Sequence, residues 1–515
     1  MTDTANRRIA RNSVLLSVRM VIVMLISLYI SRVTLQNLGV EDFGIYNVVC
    51  GFVSMFTFLS AAMTSAIQRF YNVEYAKNGS AGANKVFVSS LQSQALLAII
   101  IVVLLESVGL WYIHHKMVIP DDRFFAAKWI FQMSIISMVL SMFQAPFDAA
   151  IMAHEKMGFY AFLSILNQVL KLIIVLLLPI LPGDRLISYG LLFLLVTFID
   201  IVVSAVYSRT KFQEIRVKFF FEKVIFVDMF IFSGWNILGK FALTMKEQGL
   251  NMILNLFFGP VINAARALAF QVTSALNGFV SNISLAVKPQ LTQSYAQGAR
   301  NRTFSLMFAN TKIGYIVLFL LALPVCLEID FILKIWLGAD VPEFTNSFII
   351  IVFLITLFNG LQGNISFIIH ANGDLKIYSL VTSLVTLSVV PLGYLVLKAG
   401  WGPNSVFWVS LVVTALNYIV SVYILNRIIP FSIIDYLRRT IFPLILMSLL
   451  SIPIPFSVKL VMGEGWWRLI TIMLISMVST IIFAYFMALD KEERLLINDF
   501  IKSKFNQVFS RGNEL

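Results

Sequence analysis

The sequence predicts an all-α, polytopic membrane protein. Of its 515 residues, 59% are hydrophobic and only 13% are charged. Apolar runs of about 20 residues, the length that crosses a bilayer, recur from one end of the chain to the other. These runs are continuous rather than alternating, and a helix satisfies its own backbone hydrogen bonds in hydrocarbon. The pattern therefore indicates membrane-spanning helices and not the strands of a barrel.

Hydropathy divides the chain into about fourteen spans. The first apolar stretch is too long for the core of a signal peptide and precedes no A-x-A-like cleavage site, so we expect it to remain as a helix. The predicted spans lie near residues 13–33, 43–66, 86–111, 126–150, 159–181, 186–207, 227–257, 262–287, 306–327, 345–369, 376–396, 403–425, 438–459 and 466–489.

The distribution of basic residues predicts the orientation. Most of the 39 Lys and Arg residues fall on one side when the N-terminus is placed in the cytoplasm. Positively charged loops stay on the cytoplasmic side, so both termini are expected there. The net charge of +12 is then explained by topology and by attraction to anionic lipid. A nucleic-acid partner is not required.

Cysteine and histidine give no sign of a metal or redox site. Cys50 and Cys326 lie inside predicted spans, where cysteine usually behaves as a small apolar side chain. The four histidines do not show the spacing of metal ligands, and the chain contains no phosphate-binding G-x-x-x-x-G-K-[ST] motif. We expect no cofactor, no metal and no catalytic residue.

Two stretches of the chain share a layout. Each has a loop with a glycine, Gly39 or Gly259, then a helix, then a Tyr-Ala pair followed by glycine. A chance match between apolar helices is the alternative explanation. If the repeat is real, six spans form each half, both halves have the same orientation, and substrate binds between them. We expect an N-terminal lobe, a C-terminal lobe, and two additional helices with a cytoplasmic amphipathic tail, at residues 1–215, 216–429 and 430–515.

The first loop also carries a family resemblance. Residues 31–49 read SRVTLQNLGVEDFGIYNVV, and QRF follows at 68–70. With its G-x-x-x-(F/Y)-G motif, this stretch resembles the O-antigen flippase branch of the multidrug, oligosaccharidyl-lipid and polysaccharide exporter superfamily. The resemblance implies a protein of the bacterial cytoplasmic membrane that moves undecaprenyl-diphosphate-linked oligosaccharide to the periplasmic leaflet. Surface polysaccharide such as O-antigen would be the product, and membrane lipid and polysaccharide-assembly proteins the partners.

Polar side chains recur on one face of several spans. A charged group at the bilayer centre costs about 2.5–3.5 kcal/mol, so such faces are expected to line a hydrated cavity rather than lipid. The faces comprise Asn236, Lys240, Thr244, Glu247, Asn251 and Asn255 on span seven; Asn263, Arg266, Ser274, Asn277, Ser281, Ser284 and Lys288 on span eight; Ser134, Ser137, Ser141, Gln144 and Asp148 on span four; and Ser164, Gln168 and Lys171 on span five.

Cations in this predicted cavity suit a diphosphate, since arginine offers paired hydrogen bonds and lysine a mobile charge. The candidates are Arg19, Lys171, Lys240 and Arg266. The resemblance adds weight to Arg19 and Arg266, because the related lipid II flippases use arginines of their first and eighth helices. Alternatively, Arg19 snorkels to the headgroups, and Arg266 and Lys240 have structural roles.

Neutral amides suit sugar hydroxyls, and acids suit a coupling ion. The candidates for sugar binding are Asn251, Asn255, Asn277 and Gln144. Proton or sodium coupling is assigned to Asp148, Asp200 and Glu247.

Two other functions compete with a flippase. A drug and cation antiporter of the same superfamily would need an acidic, mostly apolar pocket. A membrane glycosyltransferase or polysaccharide polymerase would use carboxylates such as Asp121 and Asp122, but its usual large outer loop is missing from the predicted topology.

Three further segments carry expectations. The glycine-rich stretch 359–364 is expected to break span ten, either as a hinge or as a static kink. The stretches that begin at Pro430 and Asp490 are amphipathic and are expected to lie on the cytoplasmic membrane surface, or to dock assembly proteins.

Overall fold

The computed structural model describes residues 2–216, 220–338, 341–372, 376–491, 493–495 and 498. It describes no side chains within the helices at 2–18, 235–236, 275–277, 279–286, 288–289, 296 and 370–371. Throughout these residues the ordered elements are helices and there is no strand, which confirms the predicted all-α class. Most are long α-helices, and three short π-helical turns interrupt them.

The α-helices follow one another with short connections. In chain order they are α1 (Thr2–Ser54), α2 (Thr57–Leu104), α3 (Leu110–His115), α4 (Phe124–Ala153), α5 (Met157–Leu177), α6 (Arg185–Lys211), α7 (Lys223–Phe258), α8 (Pro260–Ala296), α9 (Arg300–Leu327), α10 (Ile329–Leu337), α11 (Thr345–Asn372), α12 (Lys376–Leu387), α13 (Val389–Lys398), α14 (Asn404–Ile428), α15 (Ile433–Tyr436), α16 (Phe442–Ser451), α17 (Pro453–Val461) and α18 (Trp466–Phe483).

Within the described residues, 11 helical segments are long and apolar enough to cross a membrane, or 12 if the bent α7 forms one span. The chain is therefore a multi-pass membrane protein. Every predicted span coincides with helix, but α1 and α2 are each interrupted by one glycine, Gly39 and Gly79, with φ of 79° and 58°. The count of about fourteen spans stays a prediction.

The first loop shows why two glycines stand five residues apart. Gly39 adopts a left-handed backbone conformation that other residues rarely tolerate, and this ends the first span. Gly44 lies where the start of α8 approaches α1: a Cβ there would lie 1.9 Å from the carbonyl oxygen of Pro260. One glycine thus makes the turn, and the other permits close helix packing.

The two predicted repeats share their backbone geometry at equivalent glycines. Gly259 has φ 74° and ψ −171°, close to the φ 79° and ψ 170° of Gly39. At the ends of the repeats, Gly79 and Gly298 also have positive φ, 58° and 72°. This agreement is what a repeat of loop and helix requires. The three-part division of the chain into lobes and tail stays a prediction.

The helices group into two compact units. Unit 1 consists of Met1–Val272, Trp336–Phe348 and Ser379–Val413. In it, α4 packs against α2 and α6, α1 against α5, and α2 against α7. Its core is aromatic and aliphatic, and among its fully buried side chains are Ile45, Met63, Ile67, Tyr71, Phe87 and Phe131.

Three charged side chains join one end of unit 1. Arg123, before α4, donates from Nε and Nη2 to Asp42 of α1 at 2.7 and 2.5 Å. Its Nη1 donates to Asp184 at 2.6 Å. Asp184 in turn caps α6 by accepting from the amides of Leu186 and Ile187. One guanidinium therefore ties together the starts of α4 and α6 and the loop region of α1.

A second polar cluster surrounds the connection after α6. Glu214 is 3% exposed, accepts a hydrogen bond from the hydroxyl of Tyr71 at 2.9 Å, and lies 2.5 Å from Nε2 of His154. Asn84 donates to the backbone carbonyls of Glu214 and Arg216. These bonds fasten the connection to the middle of α2, on either side of Gly79, and to the end of α4.

Unit 2 consists of Thr273–Ile335, Ile349–Tyr378 and Thr414–Leu515. In it, α18 packs against α9, α16 and α17. The side chain of Lys312, in α9, is fully buried and donates to Asp490 and Glu493 at 2.8 and 2.9 Å. The first turn of the predicted tail is thus attached to α9, and residues 496–497 and 499–515 lie outside the described part.

The predicted break in span ten is wrong. The α11 helix runs without interruption through residues 359–364. The amide of Asn364 donates to Thr311 at 3.1 Å, and Asn310 donates to Asn364 at 2.5 Å. Neighbouring helices hold this polar stretch in helical form, and in a bilayer a continuous helix also satisfies the backbone.

Candidate functional site

Unit 1 contains a cavity of about 400 Å³ between α1, α2, α4 and α6. This volume falls within the range of about 300–1,000 Å³ typical of small-molecule sites. The lining comprises Tyr46, Cys50, Val53, Ser54, Thr57, Ser60, Ala61, Thr64, Ile130, Met133, Ser134, Ser137, Met138, Ser141, Met142, Gly190 and Phe193.

The polar part of the lining consists of hydroxyls, with one thiol. Ser134, Ser137 and Ser141 come from the polar face predicted for span four. Sequence reasoning missed the facing stripe of Ser54, Thr57, Ser60 and Thr64, although its spacing of three to four residues is that of one helix face. No charged side chain is among the lining residues, all of which the structure describes.

A lysine contacts the aromatic wall of the cavity. The ammonium of Lys171, on α5, is 4.7 Å from the centroid of the Phe193 ring. A cation over an aromatic face is stabilised by the ring quadrupole, most strongly when it is shielded from water. Phe193 therefore contacts both the cavity and a cation that sequence analysis assigned to substrate.

Arg19 lies on the same side of unit 1. It donates from Nη1 to Ser164 of α5 at 3.0 Å, and its guanidinium is 5.2 Å from the Tyr160 ring centroid. Its Nε is buried and has no hydrogen-bond partner among the described residues. Arg19 thus contacts α5, the helix that carries Lys171. Its partner Ser164 lies seven residues before Lys171, about 10 Å along the helix axis.

Two of the predicted coupling acids lie on α4 and α6. Asp200 of α6 is 7% exposed and accepts a hydrogen bond from Asn167 of α5. Asp148 of α4 is half-buried, one turn after Gln144. Each acid has one buried carboxylate oxygen with no partner in the described part of the chain. Gln144, a predicted sugar ligand, therefore lies one helical turn from Asp148, a predicted coupling acid.

The predicted residues of α7 separate into exposed and buried members. Lys240 and Glu247 are exposed, and Lys240 makes no ion pair with any described residue. Asn251 and Asn255 are fully buried. Lys240 and Glu247 therefore reach the surface, whereas Asn251 and Asn255 do not.

Asn251 and Asn255 hold helices together. Asn251 donates to the carbonyl of Asn47 at 3.2 Å and accepts from Asn263 at 2.7 Å. Asn255 donates to the carbonyl of Val118 and accepts from its amide, at 3.1 and 2.9 Å. The side chain of Asn277, the remaining predicted sugar ligand, lies outside the described residues.

Arg266 is also buried inside unit 1. It is 6% exposed, its Nη2 donates to the carbonyl of Glu247, and its guanidinium is 4.3 Å from the Phe270 ring centroid. Its Nε has no partner in the described part of the protein. These contacts join α8 to α7.

Groups of three or more His, Cys, Asp or Glu side chains that could hold a metal ion do not occur among the described residues. The arrangement offers a hydroxyl-lined cavity and one cation, Lys171, in contact with its Phe193 wall. It suits non-covalent binding of a ligand that has both neutral polar and anionic parts.

Fold and sequence comparisons define the class of protein. The chain superimposes on the lipid II flippase MurJ in an inward closed conformation with a TM-score of 0.71, at 15% identity, over 92% of this chain and 98% of that one. It superimposes on an inward-facing multidrug resistance MATE family transporter of the MOP superfamily with a TM-score of 0.69, at 12% identity, over 79% and 96%. The chain has the fold of the MOP superfamily transporters.

The sequence then gives the family. Residues 9–295, more than half of the chain, match the model of the polysaccharide biosynthesis protein family, and the chain belongs to that family. It is also 21% identical over 329 residues to the uncharacterized membrane protein EpsK of Bacillus subtilis (strain 168), covering 62% of this chain and 63% of EpsK. The predicted resemblance to a polysaccharide family is confirmed.

Proposed function

We propose that this protein moves an undecaprenyl-diphosphate-linked oligosaccharide from the cytoplasmic to the periplasmic leaflet of a bacterial cytoplasmic membrane. The movement occurs by alternating access, and the oligosaccharide is a repeat unit of a surface polysaccharide such as O-antigen or capsule. Both termini face the cytoplasm. The family supports a role in polysaccharide synthesis, and the fold supports a transporter.

One observation carries the proposal: Lys171 lies against Phe193, and Phe193 forms part of the hydroxyl-lined cavity. A lipid-linked sugar joins an anionic diphosphate to neutral sugar hydroxyls, so its site needs cations beside neutral polar groups. Arg19 adds a second cation with an unpartnered nitrogen, and the exposed Lys240 adds a third. Arg266, already bonded to a backbone carbonyl, takes part through its remaining donors.

The acids support ion coupling in the same unit. Asp148 and Asp200 each have a buried, unpartnered oxygen within the described structure, and a proton or sodium ion would satisfy it. Glu247 is exposed and is the weaker candidate. An imposed gradient of the coupling ion is expected to accelerate transport.

The test is translocation of labelled donors in proteoliposomes, with empty vesicles as control. A panel of undecaprenyl-diphosphate oligosaccharides is offered under proton and sodium gradients. The proposal expects at least one donor to cross faster than in empty vesicles. If none does, while a cationic dye is exported, the protein is instead a cation antiporter. Extension of the glycan or release of free undecaprenyl diphosphate would indicate a glycosyltransferase or polymerase.

A further inference from the structure

Five hydroxyls of the cavity share one hydrogen-bonding arrangement. Thr57, Thr64 and Ser141 donate to the carbonyls of Ser54, Ser60 and Ser137, at 2.6, 2.8 and 2.9 Å. Ser54 and Ser134 likewise donate to carbonyls of their own helix, at 2.8 and 2.7 Å. A hydroxyl has one hydrogen and two lone pairs. Because each hydrogen is used in a bond to a backbone carbonyl, these five oxygens offer the cavity only lone pairs, and the Ser134 oxygen also lies 3.2 Å from the Cys50 sulfur.

A wall of hydrogen-bond acceptors selects its ligand by the charge of the ligand and by the number of hydrogen-bond donors that the ligand carries. A diphosphate carries acceptors and negative charge, so it would find few donors in this wall. A cation would find no carboxylate among the lining residues, all of them described. A sugar carries many hydroxyl donors, and it can accept from Ser60 and Ser137, whose hydroxyls make no hydrogen bond to the described residues.

The cavity also has the apolar surface that a sugar ring requires. Tyr46 and Phe193 form an edge-to-face pair, with ring centroids 6.2 Å apart. Methionines on α4 complete the wall. With a volume of about 400 Å³, the cavity has room for a short saccharide.

We infer that this cavity is a saccharide site that takes the neutral glycan of the substrate and excludes its diphosphate. The inference rests on the proposed function for the source of the glycan. The diphosphate then remains on the cationic side of Phe193, with Arg19 and Lys171. The site lies wholly in unit 1, and its ligating atoms are the oxygens of Ser54, Thr57, Thr64, Ser134 and Ser141.

The test uses one reporter thiol in the cavity. Cys50 and Cys326 are replaced by alanine, and Ser137→Cys is introduced; Thr210→Cys, at the exposed end of α6, is the matched control. The purified variants in nanodiscs are alkylated by a small methanethiosulfonate. The probes are free oligosaccharides released from the donor panel, undecaprenyl diphosphate and inorganic pyrophosphate.

At about ten times the dissociation constant, an oligosaccharide should slow alkylation of Ser137→Cys about tenfold, since only the unliganded protein reacts. Pyrophosphate and undecaprenyl diphosphate should leave the rate unchanged, and Thr210→Cys should not respond to any probe. The inference is overturned if no oligosaccharide protects Ser137→Cys, or if the sugar-free diphosphates protect it equally.

A second set of variants removes acceptors without changing shape. Thr57→Val and Thr64→Val should each weaken oligosaccharide binding about fivefold, the value of one hydrogen bond. Thr197→Val is the control, because Thr197 also donates to its own helix but does not line the cavity. Protection of the thiol without any donor translocation would sink the flippase proposal and leave the saccharide site standing. Translocation of a donor without protection of the thiol would support the flippase proposal and overturn the saccharide site.

Discussion

Arg123 and Asp184 form an ion pair with Nη1 2.6 Å from a carboxylate oxygen. The pair joins the starts of α4 and α6, two of the helices that enclose the hydroxyl-lined cavity. Arg123 simultaneously holds Asp42 of α1, so three elements that surround the cavity depend on one side chain.

Replacement of Arg123 by alanine should destabilise unit 1. The two carboxylates would lose charge-assisted hydrogen bonds, and because all three groups are partly exposed we expect a loss of about 1–2 kcal/mol. Lys128→Ala, an exposed residue one turn further along α4, is the control. Thermal unfolding in detergent measures the effect; equal melting temperatures for the two variants would contradict it.

The same cluster predicts a dependence on pH. Burial raises the pKa of Asp184, but hydrogen bonds from Arg123 and from the amides of Ile187 and Leu186 outweigh burial, so the pKa lies below the ordinary value of an aspartate. A depressed pKa stabilises the fold at pH values above the pKa of the unfolded chain, and the contribution is lost as pH falls through the folded value.

Asp184→Asn isolates this carboxylate, because asparagine retains the helix cap and removes the charge. The melting temperature of the parent should exceed that of Asp184→Asn at neutral pH. The difference should disappear as the pH falls below about 4. A difference that is independent of pH would show that the charge of Asp184 contributes nothing.

The attachment of the tail depends on Lys312. Lys312→Met keeps the length of the side chain and removes both ion pairs with Asp490 and Glu493. Loss of hydrogen bonds to charged groups should raise the open fraction of the tail about tenfold or more. Tryptic release of a C-terminal tag measures this opening, with Lys398→Met as control. Unchanged cleavage would mean that other contacts hold the tail.

The two buried asparagines of α7 should be needed for folding. In Asn255→Ala, the amide and carbonyl of Val118 would both lose their partner, at a cost of about 1–3 kcal/mol. We expect a lower melting temperature with no change in the preference among glycan donors. An altered donor preference at unchanged stability would instead support the predicted sugar contact.

Gly44 should not accept a side chain. A Cβ at this position meets the backbone carbonyl of Pro260 at 1.9 Å, which no rotamer change relieves. Gly44→Ala should therefore separate α1 from α8 and lower the yield of folded protein. Gly158→Ala, where a Cβ meets nothing within 4 Å, is the control. Comparable size-exclusion profiles for both would contradict the close approach.

The helices were predictable from the sequence because hydrophobic length sets a membrane span. The glycines of the loops were also predictable, since the positive φ at Gly39 and Gly259 favours glycine over other residues. The break predicted in span ten was wrong because neighbouring side chains, including Asn310, hold the helix at Asn364.

The candidate site was harder to predict. The helical periodicity of polar residues predicted the polar face of α4, but it cannot distinguish a cavity lining from a contact between helices. Asn251 and Asn255 are four residues apart, as are Ser137 and Ser141 of the cavity lining. The stripe of Ser54, Thr57 and Thr64 escaped notice because hydroxyls bonded to a backbone carbonyl three or four residues earlier cost little in an apolar span. Which polar groups meet depends on tertiary packing.

The most direct measurement of the central claim compares Lys171→Ala with Lys156→Ala in the proteoliposome translocation assay. Lys156 begins the same helix, is exposed and lies outside the cavity. The account predicts that Lys171→Ala loses donor translocation by at least about tenfold, that Lys171→Arg restores part of it, and that Lys156→Ala matches the parent. Full translocation by Lys171→Ala would contradict the assignment of the diphosphate to this side of unit 1.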